Sequence, residues 1–136
     1  MQLKDTYTHE VLVDDIDFVG HVGNIHWMRV LQRCQQKYMI RIFNYSYSQM
    51  QAERSSLIIS ESILKYYHPA YINDTLTIST EILDIHEKGF TFYHKCKNQN
   101  DKLCHRAKYK VIFISNVTNN SIKLPNNIDI ILTEKL

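Results

Sequence analysis

The residues best suited to chemistry lie near the start of the chain, in the segment VDDIDFVGHVGNIHW at positions 13–27. It holds the carboxylates Asp14, Asp15 and Asp17, the imidazole of His21 and the amide of Asn24. A carboxylate can activate water as a general base or attack a carbonyl carbon itself. An aspartate can also cap a turn or a helix. We expect that structural role for Asp14 and Asp15, one facing solvent and the other bonded to the turn.

A long helix is predicted directly after these residues. From Asn24 to about Phe43, apolar residues recur at spacings of three and four, the pattern of one helix face: Ile25, Met28, Leu31, Cys34, Tyr38 and Ile42. Asn24 fits the N-cap position. The first N–H groups of a helix have no partner within it, and the helix dipole adds partial positive charge there. The N–H of Asn24 would therefore suit a developing oxyanion close to Asp17.

The remaining elements are mostly strands. Segments rich in β-branched and aromatic residues predict strands at 7–14, 57–67, 75–86, 90–97 and 103–115. Turn signals at 69–74, 87–89 and 98–101 predict hairpins, so the last four strands would form a meander. Residues 46–56 are predicted to be a polar connector, and the apolar end to be a strand or a helical turn. One antiparallel sheet of five or six strands, wrapped around the long central helix, predicts a single α+β domain over residues 1–136.

Composition excludes several classes of protein. The net charge is only +2 and the basic residues are scattered among acidic ones, so nucleic-acid binding is not expected. Three cysteines without a C-x-x-C pair, and histidines without H-x-H or H-E-x-x-H spacing, predict neither disulfides nor a metal site. No phosphate-binding loop motif is present, and no cofactor is expected. The absence of a signal-like start and of a 20-residue apolar run predicts a cytoplasmic protein without a membrane span.

Residues 13–27 resemble the signature of the hot-dog-fold thioesterases of the 4-hydroxybenzoyl-coenzyme A thioesterase type. The matching positions are Asp15, Asp17, Gly20, His21, Val22, Asn24 and Trp27. The segment ILKYYHPAYINDTLTISTEI at 63–82 is similar to the family's Tyr-x-x-Pro-Ala-x-x-x-Asp-x-Leu pattern. The resemblance implies a hot-dog fold and hydrolysis of an acyl thioester of coenzyme A (CoA).

The chain departs from this pattern at three positions. Gly23 replaces the first of two asparagines, Gln32 replaces an acid on the helix, and Gln35 stands where arginine is frequent. The stretch FVGHVGNIHWMRVLQRC also resembles thioesterases that serve enediyne polyketide synthases. Those enzymes generally lack the second aspartate, which this chain keeps as Asp17. The acyl carrier is therefore open between CoA and a carrier protein.

The resemblance implies a role for the main residues of the motif. Asp17 would act as general base toward water, or as a nucleophile that forms an acyl-enzyme anhydride. The N–H of Asn24 would hold the oxyanion, and His21 would orient the substrate carbonyl or the turn. Gly20 would provide either a positive φ or a close approach of the thioester.

Residues that bind the substrate are predicted from their size, charge and position. The large side chains available for an acyl pocket are Trp27, Met28, Tyr66 and Tyr67. They favour an aryl or medium-to-long acyl chain over acetyl, because an apolar pocket gains about 25 cal/mol per Å² buried. Lys88 and Arg106 would meet the CoA phosphates across a dimer. A homodimer or tetramer is expected because a single curled sheet leaves an edge strand without a partner.

Two other functions are compatible with the same residues. A dehydratase or hydratase of this fold would pair His21 with Glu61 across the dimer interface. A non-catalytic acyl-binding module would account for Gln32 and Gly23, although the intact Asp17 speaks against it. Release of free thiol from acyl thioesters distinguishes a hydrolase from both of these alternatives.

Overall fold

The computed structural model describes residues 3–135 of the chain. Its strands are β1 (Lys4–Glu10), β2 (Ser55–Tyr66), β3 (Thr75–His86), β4 (Gly89–Lys97) and β5 (Leu103–Ser115). Its helices are α1 (Asn24–Phe43), α2 (Tyr47–Ala52) and α3 (Asn126–Lys135), and a 3-10 turn at Val13–Asp15 lies between β1 and α1.

The strands form one antiparallel sheet in the order β1-β3-β4-β5-β2. Strands β3, β4 and β5 are the predicted meander, but β2 pairs with β5 at the far edge and not with β3. The predicted hairpin after β2 is therefore wrong. Residues 67–74 instead pass the start of α1, where the Val22 N–H donates to the Ala70 carbonyl and His21 bridges Tyr71. This connection fixes the loop that holds the acidic motif.

Helix α1 lies on the inner face of the curled sheet. It buries Trp27, Val30, Leu31, Cys34, Gln35, Tyr38, Met39 and Phe43. Against them, inner-face residues of the sheet such as Ile78, Phe92 and Phe113 are fully buried. Each large apolar side chain buried in this way contributes about 1.5–3 kcal/mol. The predicted α+β arrangement of a sheet around one long helix is confirmed, with five strands in residues 3–135.

The start of α1 differs in detail from the prediction. The N-cap residue is Gly23, which has no side chain to cap the helix, and Asn24 is the first helical residue. Ile25 and Met28, predicted on the buried face, are exposed, whereas Trp27 is buried. Trp27, Leu31, Cys34 and Tyr38 satisfy the same helical period, so spacing alone did not separate the two faces.

Two shorter helices complete the chain. Helix α2 lies within residues 46–56, so the prediction of a polar connector there is wrong. The side chain of Ser46 caps this helix by accepting from the Gln49 N–H. Helix α3 forms the apolar end, so the helical alternative is correct there. It packs Ile128 and Leu132 into the core.

Candidate active site

The loop between β1 and α1 is a tight turn that is closed by its own backbone. The Asp17 N–H donates to the His21 carbonyl at 3.0 Å, and the Gly20 N–H donates to the Asp17 carbonyl at 3.0 Å. The Val19 N–H donates to Oδ1 of Asp17 at 3.0 Å. The backbone of the turn thus holds the carboxylate in place through one of its two oxygens.

The second carboxylate oxygen of Asp17 points to the start of α1. A Cβ built on Gly23 would lie 3.2 Å from Oδ2 of Asp17 and 3.3 Å from its Cβ. The missing side chain at Gly23 therefore lets the carboxylate lie against the helix end. Beside it, the N–H groups of residues 24–26 donate to no group within residues 3–135. A half-exposed carboxylate and free N–H donors meet at this helix end, where the dipole is positive.

Asp15 has different surroundings from Asp17. Its Oδ2 accepts from Nε2 of His9 and from the Leu12 N–H, both at 2.9 Å. Burial alone would raise the pKa of Asp15, but these two hydrogen bonds, together with electrostatic interactions with His9 and His26, hold the pKa below its usual range. Asp14 is exposed. The expectation that one of the pair faces solvent and the other bonds the turn is confirmed.

His21 and Gly20 complete the turn. The ring of His21 meets the ring of Tyr71 edge-on, with centroids 6.3 Å apart. Gly20 has a φ of 89°, and a Cβ there would meet nothing within 4 Å. We predicted either a positive φ or a close approach of the thioester at Gly20, and the backbone of the turn accounts for this glycine by its positive φ.

Three aromatic rings pack together behind Asn24, the first residue of the helix. The ring of Trp27 stacks on His105 at 4.6 Å with 12° between the planes, and Tyr66 packs on the same imidazole at 4.8 Å. The hydroxyl of Tyr66 donates to Oδ1 of Asn24. His105 is fully buried, and both of its ring nitrogens lack a hydrogen-bond partner within the described residues. Burial lowers the pKa of His105 to about 4, so the imidazole is neutral at pH 7.

Comparison with known proteins places these features in a family. Residues 11–132 match the model of the thioesterase-like superfamily. The chain belongs to this superfamily. The match confirms the predicted family and the predicted enzyme class, a thioester hydrolase.

Individual relatives agree with this assignment. The chain is 25% identical over 118 residues to the acyl-CoA thioester hydrolase YbgC of Escherichia coli and of Shigella flexneri, with 87% of each chain covered. Among solved structures it is similar to a 1,4-dihydroxy-2-naphthoyl-CoA thioesterase from Synechocystis, at a TM-score of 0.87 and 16% identity, with 96% of both chains covered. It is also similar to a hypothetical protein from Staphylococcus aureus in complex with CoA, at a TM-score of 0.91 and 15% identity, covering 98% of this chain and 84% of that one. These structures confirm the hot-dog fold.

The four residues predicted for the acyl pocket have different environments in this thioesterase-like chain. Trp27 is 3% exposed and belongs to the core, whereas Met28 is 42% exposed beside the start of α1. Tyr66 and Tyr67 are about half exposed at the end of β2. Trp27 is therefore placed behind any pocket at this helix end, whereas Met28 and Tyr66 have surface open to it. Tyr67 lies on the outer face of the sheet under Arg106.

The two residues predicted to contact CoA lie at different places on the sheet, and neither is in contact with the loop that holds Asp17. Arg106 follows the inward-facing His105 on β5, so its side chain lies on the outer face of the sheet, over the rings of Tyr67 and Tyr93. Lys88 lies in the β3–β4 turn, and its Nζ donates to Ser121. Its carbonyl accepts from the Phe113 N–H, eight residues along β5 from His105, or roughly 26 Å of strand. The predicted role of Lys88 therefore depends on a second copy of the chain.

Glu61 stays apart from the motif within one chain. Its Oε2 lies 3.5 Å from Nζ of Lys110 on the neighbouring strand, and both side chains are about half exposed. The pair of His21 and Glu61 that a dehydratase would use is not formed within the described chain. Residues 3–135 also contain no group of three His, Cys, Asp or Glu side chains that could hold a metal ion. No described helix is both long and apolar enough to cross a membrane.

Sequence reasoning missed two features of this site. Gly23 departs from the family pattern, but the sequence does not predict its contact with Asp17. The sequence suggests Tyr66 for the acyl pocket and does not predict its hydrogen bond to Asn24. Its position as the tyrosine of the Tyr-x-x-Pro-Ala segment was a signal that could have directed attention to its hydroxyl.

Proposed function

We propose that this thioesterase-like protein hydrolyses acyl thioesters of CoA with Asp17 as its catalytic carboxylate. The proposal depends on one observation: among residues 3–135, neither the second oxygen of Asp17 nor the first N–H groups of α1 beside it have a hydrogen-bond partner. Hydrolysis of a thioester needs these two parts, a group that activates water or attacks the carbonyl, and donors for the oxyanion.

The proposed reaction proceeds at the carbonyl carbon of the thioester. The carbonyl oxygen is held by the N–H of Asn24, while Asp17 takes a proton from water and the water oxygen attacks the carbon. The tetrahedral intermediate then expels the thiolate, which receives the proton from Asp17. In the nucleophilic alternative, Asp17 attacks the carbonyl carbon, the C–S bond breaks and the thiolate leaves. Water then cleaves the resulting anhydride, which releases the acid, restores the Asp17 carboxylate and supplies the proton that the thiolate takes up. Each oxyanion donor contributes about 3 kcal/mol to the transition state.

The proposed substrate class draws on the relatives as well as on the site. The YbgC relatives are named acyl-CoA thioester hydrolases, and the Synechocystis structure is a thioesterase for an aromatic CoA ester. We propose that this chain also acts on CoA thioesters, and that a carrier protein is the alternative acyl carrier. An aryl or medium-to-long acyl group is proposed because Met28 and Tyr66 offer exposed apolar surface close to Asn24.

A homodimer is part of the proposal, with the chain as a single domain that acts in the cytoplasm. Strand β2 is an edge of the sheet and exposes the apolar residues Ile58, Ile59 and Ile63. Pairing of two such edges would place the far end of one chain beside the motif of the other. Lys88 lies at that far end and would then reach CoA phosphates that extend from the partner's site. Arg106 lies opposite Lys65, at the motif end of its own chain, so this pairing alone does not bring it to the partner's motif.

A thioester panel with a thiol-trapping dye tests this function. Acetyl-, benzoyl-, octanoyl- and palmitoyl-CoA are compared with matched carrier-protein esters, and kcat/KM is measured for each. We expect release of free thiol, highest for aryl or medium-to-long acyl groups. Hydration of crotonyl-CoA without thiol release would favour the dehydratase alternative, and binding without turnover would favour the acyl-binding module.

A further inference from the structure

Tyr66 reaches the start of α1 from the end of an edge strand. Its hydroxyl donates to Oδ1 of Asn24, the first residue of the helix, 42 positions away in sequence. The ring is fixed from behind by His105, which itself stacks on Trp27. The side chain is nevertheless 54% exposed, so the hydroxyl remains open to a bound molecule.

We propose that the hydroxyl of Tyr66 is a second donor to the thioester oxygen, beside the backbone N–H of Asn24. This inference rests on the proposed thioesterase function and adds a catalytic residue to it. The Oδ1 atom of Asn24 is an exposed amide oxygen, and it occupies the place that the substrate carbonyl oxygen takes when the thioester binds. A phenol has one hydrogen to donate, so Tyr66 leaves Asn24 when it binds the substrate.

The hydroxyl acts only as a hydrogen-bond donor. As water attacks, the π electrons of the carbonyl move onto the oxygen, and that oxyanion is held by the N–H of Asn24 and the O–H of Tyr66. When the C–S bond breaks, the electrons return to re-form the carbonyl and the thiolate takes the proton held by Asp17. Burial raises the pKa of Tyr66 above its usual value, so the hydroxyl keeps its proton throughout the neutral range.

A purely structural role predicts something different. If Tyr66 only holds the side chain of Asn24, its hydroxyl has no function once that side chain is removed. Asn24→Ala removes the amide and retains the backbone N–H. The effect of Tyr66→Phe in the Asn24→Ala background therefore separates direct donation to the substrate from support of Asn24.

The experiment measures kcat and KM for wild type, Tyr66→Phe, Asn24→Ala and the double variant, using the best CoA thioester of the panel. We expect Tyr66→Phe to lower kcat roughly 10²-fold in both backgrounds, with KM and the unfolding temperature little changed. Tyr7→Phe is the matched control, because it removes a hydroxyl from β1 at the opposite edge of the sheet. It should retain the wild-type kcat.

Two results would overturn the inference. One is a wild-type kcat in Tyr66→Phe, and the other is a loss that disappears in the Asn24→Ala background. Failure of the proposed function has a different result, in which the wild-type protein releases no thiol from any ester. Normal hydrolysis that is insensitive to Tyr66→Phe but lost in Asp17→Asn would reject the role of Tyr66 alone.

Discussion

Asp15 and Asp17 stand two residues apart and have different surroundings. The carboxylate of Asp15 accepts hydrogen bonds from His9 and Leu12, and its pKa is lowered, which favours the anion. Asp17 accepts one hydrogen bond from Val19 and keeps its other oxygen beside the helix end. A carboxylate that attacks or deprotonates needs a free oxygen, so Asp17 is the better candidate for chemistry.

The first prediction concerns Asp17→Asn. The amide can still accept from the Val19 N–H, so the free energy of unfolding should change by only about 1 kcal/mol. The charge that activates water is lost, and kcat should fall at least ~10²-fold. Steady-state hydrolysis and urea unfolding measure the two effects.

Asp15→Asn is the matched control for this variant. It replaces the carboxylate that accepts from His9 and Leu12 with a neutral amide, so it should cost stability and far less activity than Asp17→Asn. Because the folded pKa of Asp15 is depressed, its contribution to stability is present above its unfolded pKa of about 3.9 and is lost as the pH falls below it. Equal losses of kcat in the two variants would show that Asp17 has no special role.

The second prediction concerns Gly23→Ala. The φ of −78° at Gly23 is accessible to alanine, so the backbone is not strained. The new Cβ would crowd Oδ2 and Cβ of Asp17 and displace the carboxylate by a few tenths of an ångström. We expect kcat to fall about tenfold, since a 1 Å misplacement can cost about 10²-fold. Steady-state kinetics and a crystal structure of the variant measure the loss and the shift.

Gly20→Ala provides the contrast. Its Cβ meets nothing, but its φ of 89° strains the backbone, so it should lose about 1–2 kcal/mol of stability. If Gly23→Ala keeps full activity, contact with Gly23 does not position Asp17.

At the scale of elements, local pattern and long-range pairing differ in how well the sequence predicts them. The bounds of α1 and of β3 match the predicted ranges, because periodicity and turn residues are local signals. The predicted pairing of β2 with β3 was wrong, because the alternation of residues within a strand does not indicate which strand it pairs with. Helix α2 was missed because six residues are too few to show a helical period.

The same distinction applies to the site. The position of Asp17 before a helix was predictable from the motif and the helical period. The contact between Tyr66 and Asn24 joins two elements through a strand order that the sequence did not predict. Contacts of this kind require the three-dimensional structure.

A buried polar chain joins α1 to the sheet beyond the site. The side chain of Gln35 lies 3.1 Å from Nε2 of His94, and Nδ1 of His94 lies 2.9 Å from Oγ1 of Thr80. All three side chains are buried. Burial, together with the nearby His105, lowers the pKa of His94 to about 3, so the ring joins the chain as a neutral imidazole.

The third prediction follows from the two buried histidines. The folded pKa values of His94 and His105, about 3 and about 4, lie below the unfolded value of about 6.5. The unfolded chain therefore binds more protons between pH 6.5 and pH 4, and stability falls as the pH falls through this range. Each histidine contributes a slope of about 1.4 kcal/mol per pH unit.

Urea unfolding at pH 7.5, 5.5 and 4.5 measures this slope. His94→Gln keeps hydrogen-bonding groups beside Gln35 and Thr80 but cannot titrate, so it should remove about half of the slope. A stability that is flat from pH 7.5 to pH 4.5 would show that neither histidine is held neutral by the fold.

At the scale of the whole molecule, the two edges of the sheet differ in character. Strand β1 carries charged residues along its length, and Asp5 pairs with Arg41 of α1. Strand β2 is twelve residues long and exposes Ile58, Ile59 and Ile63. A long apolar edge favours pairing with another strand, whereas charges prevent it. Strand β2 is therefore the edge at which we expect a second copy.

A groove beside this edge extends the apolar surface. It has a volume of about 540 Å³ and lies between α1, α2 and β2, with Met39, Met50, Leu57 and Ile59 in its walls. The groove shares Ile59 with the exposed edge of β2, so one partner could cover both. A stable interface buries about 800 Å² on each chain, more than an edge strand alone would provide.

The last prediction is that the active protein is a dimer built on β2. Ile59→Glu would place a charge in the interface of each copy, and each buried unpaired charge costs at least about 1–3 kcal/mol. Two copies per dimer should weaken association roughly 10²-fold or more. Ile130→Glu on α3, another exposed isoleucine, is the matched control and should leave the dimer intact.

Sedimentation at assay concentration gives the mass of each variant, and hydrolysis is measured on the same samples. Because the proposed CoA contact Lys88 serves the partner's site, the monomeric variant should have a raised KM. A monomer with wild-type kcat and KM would show that each chain carries a complete site.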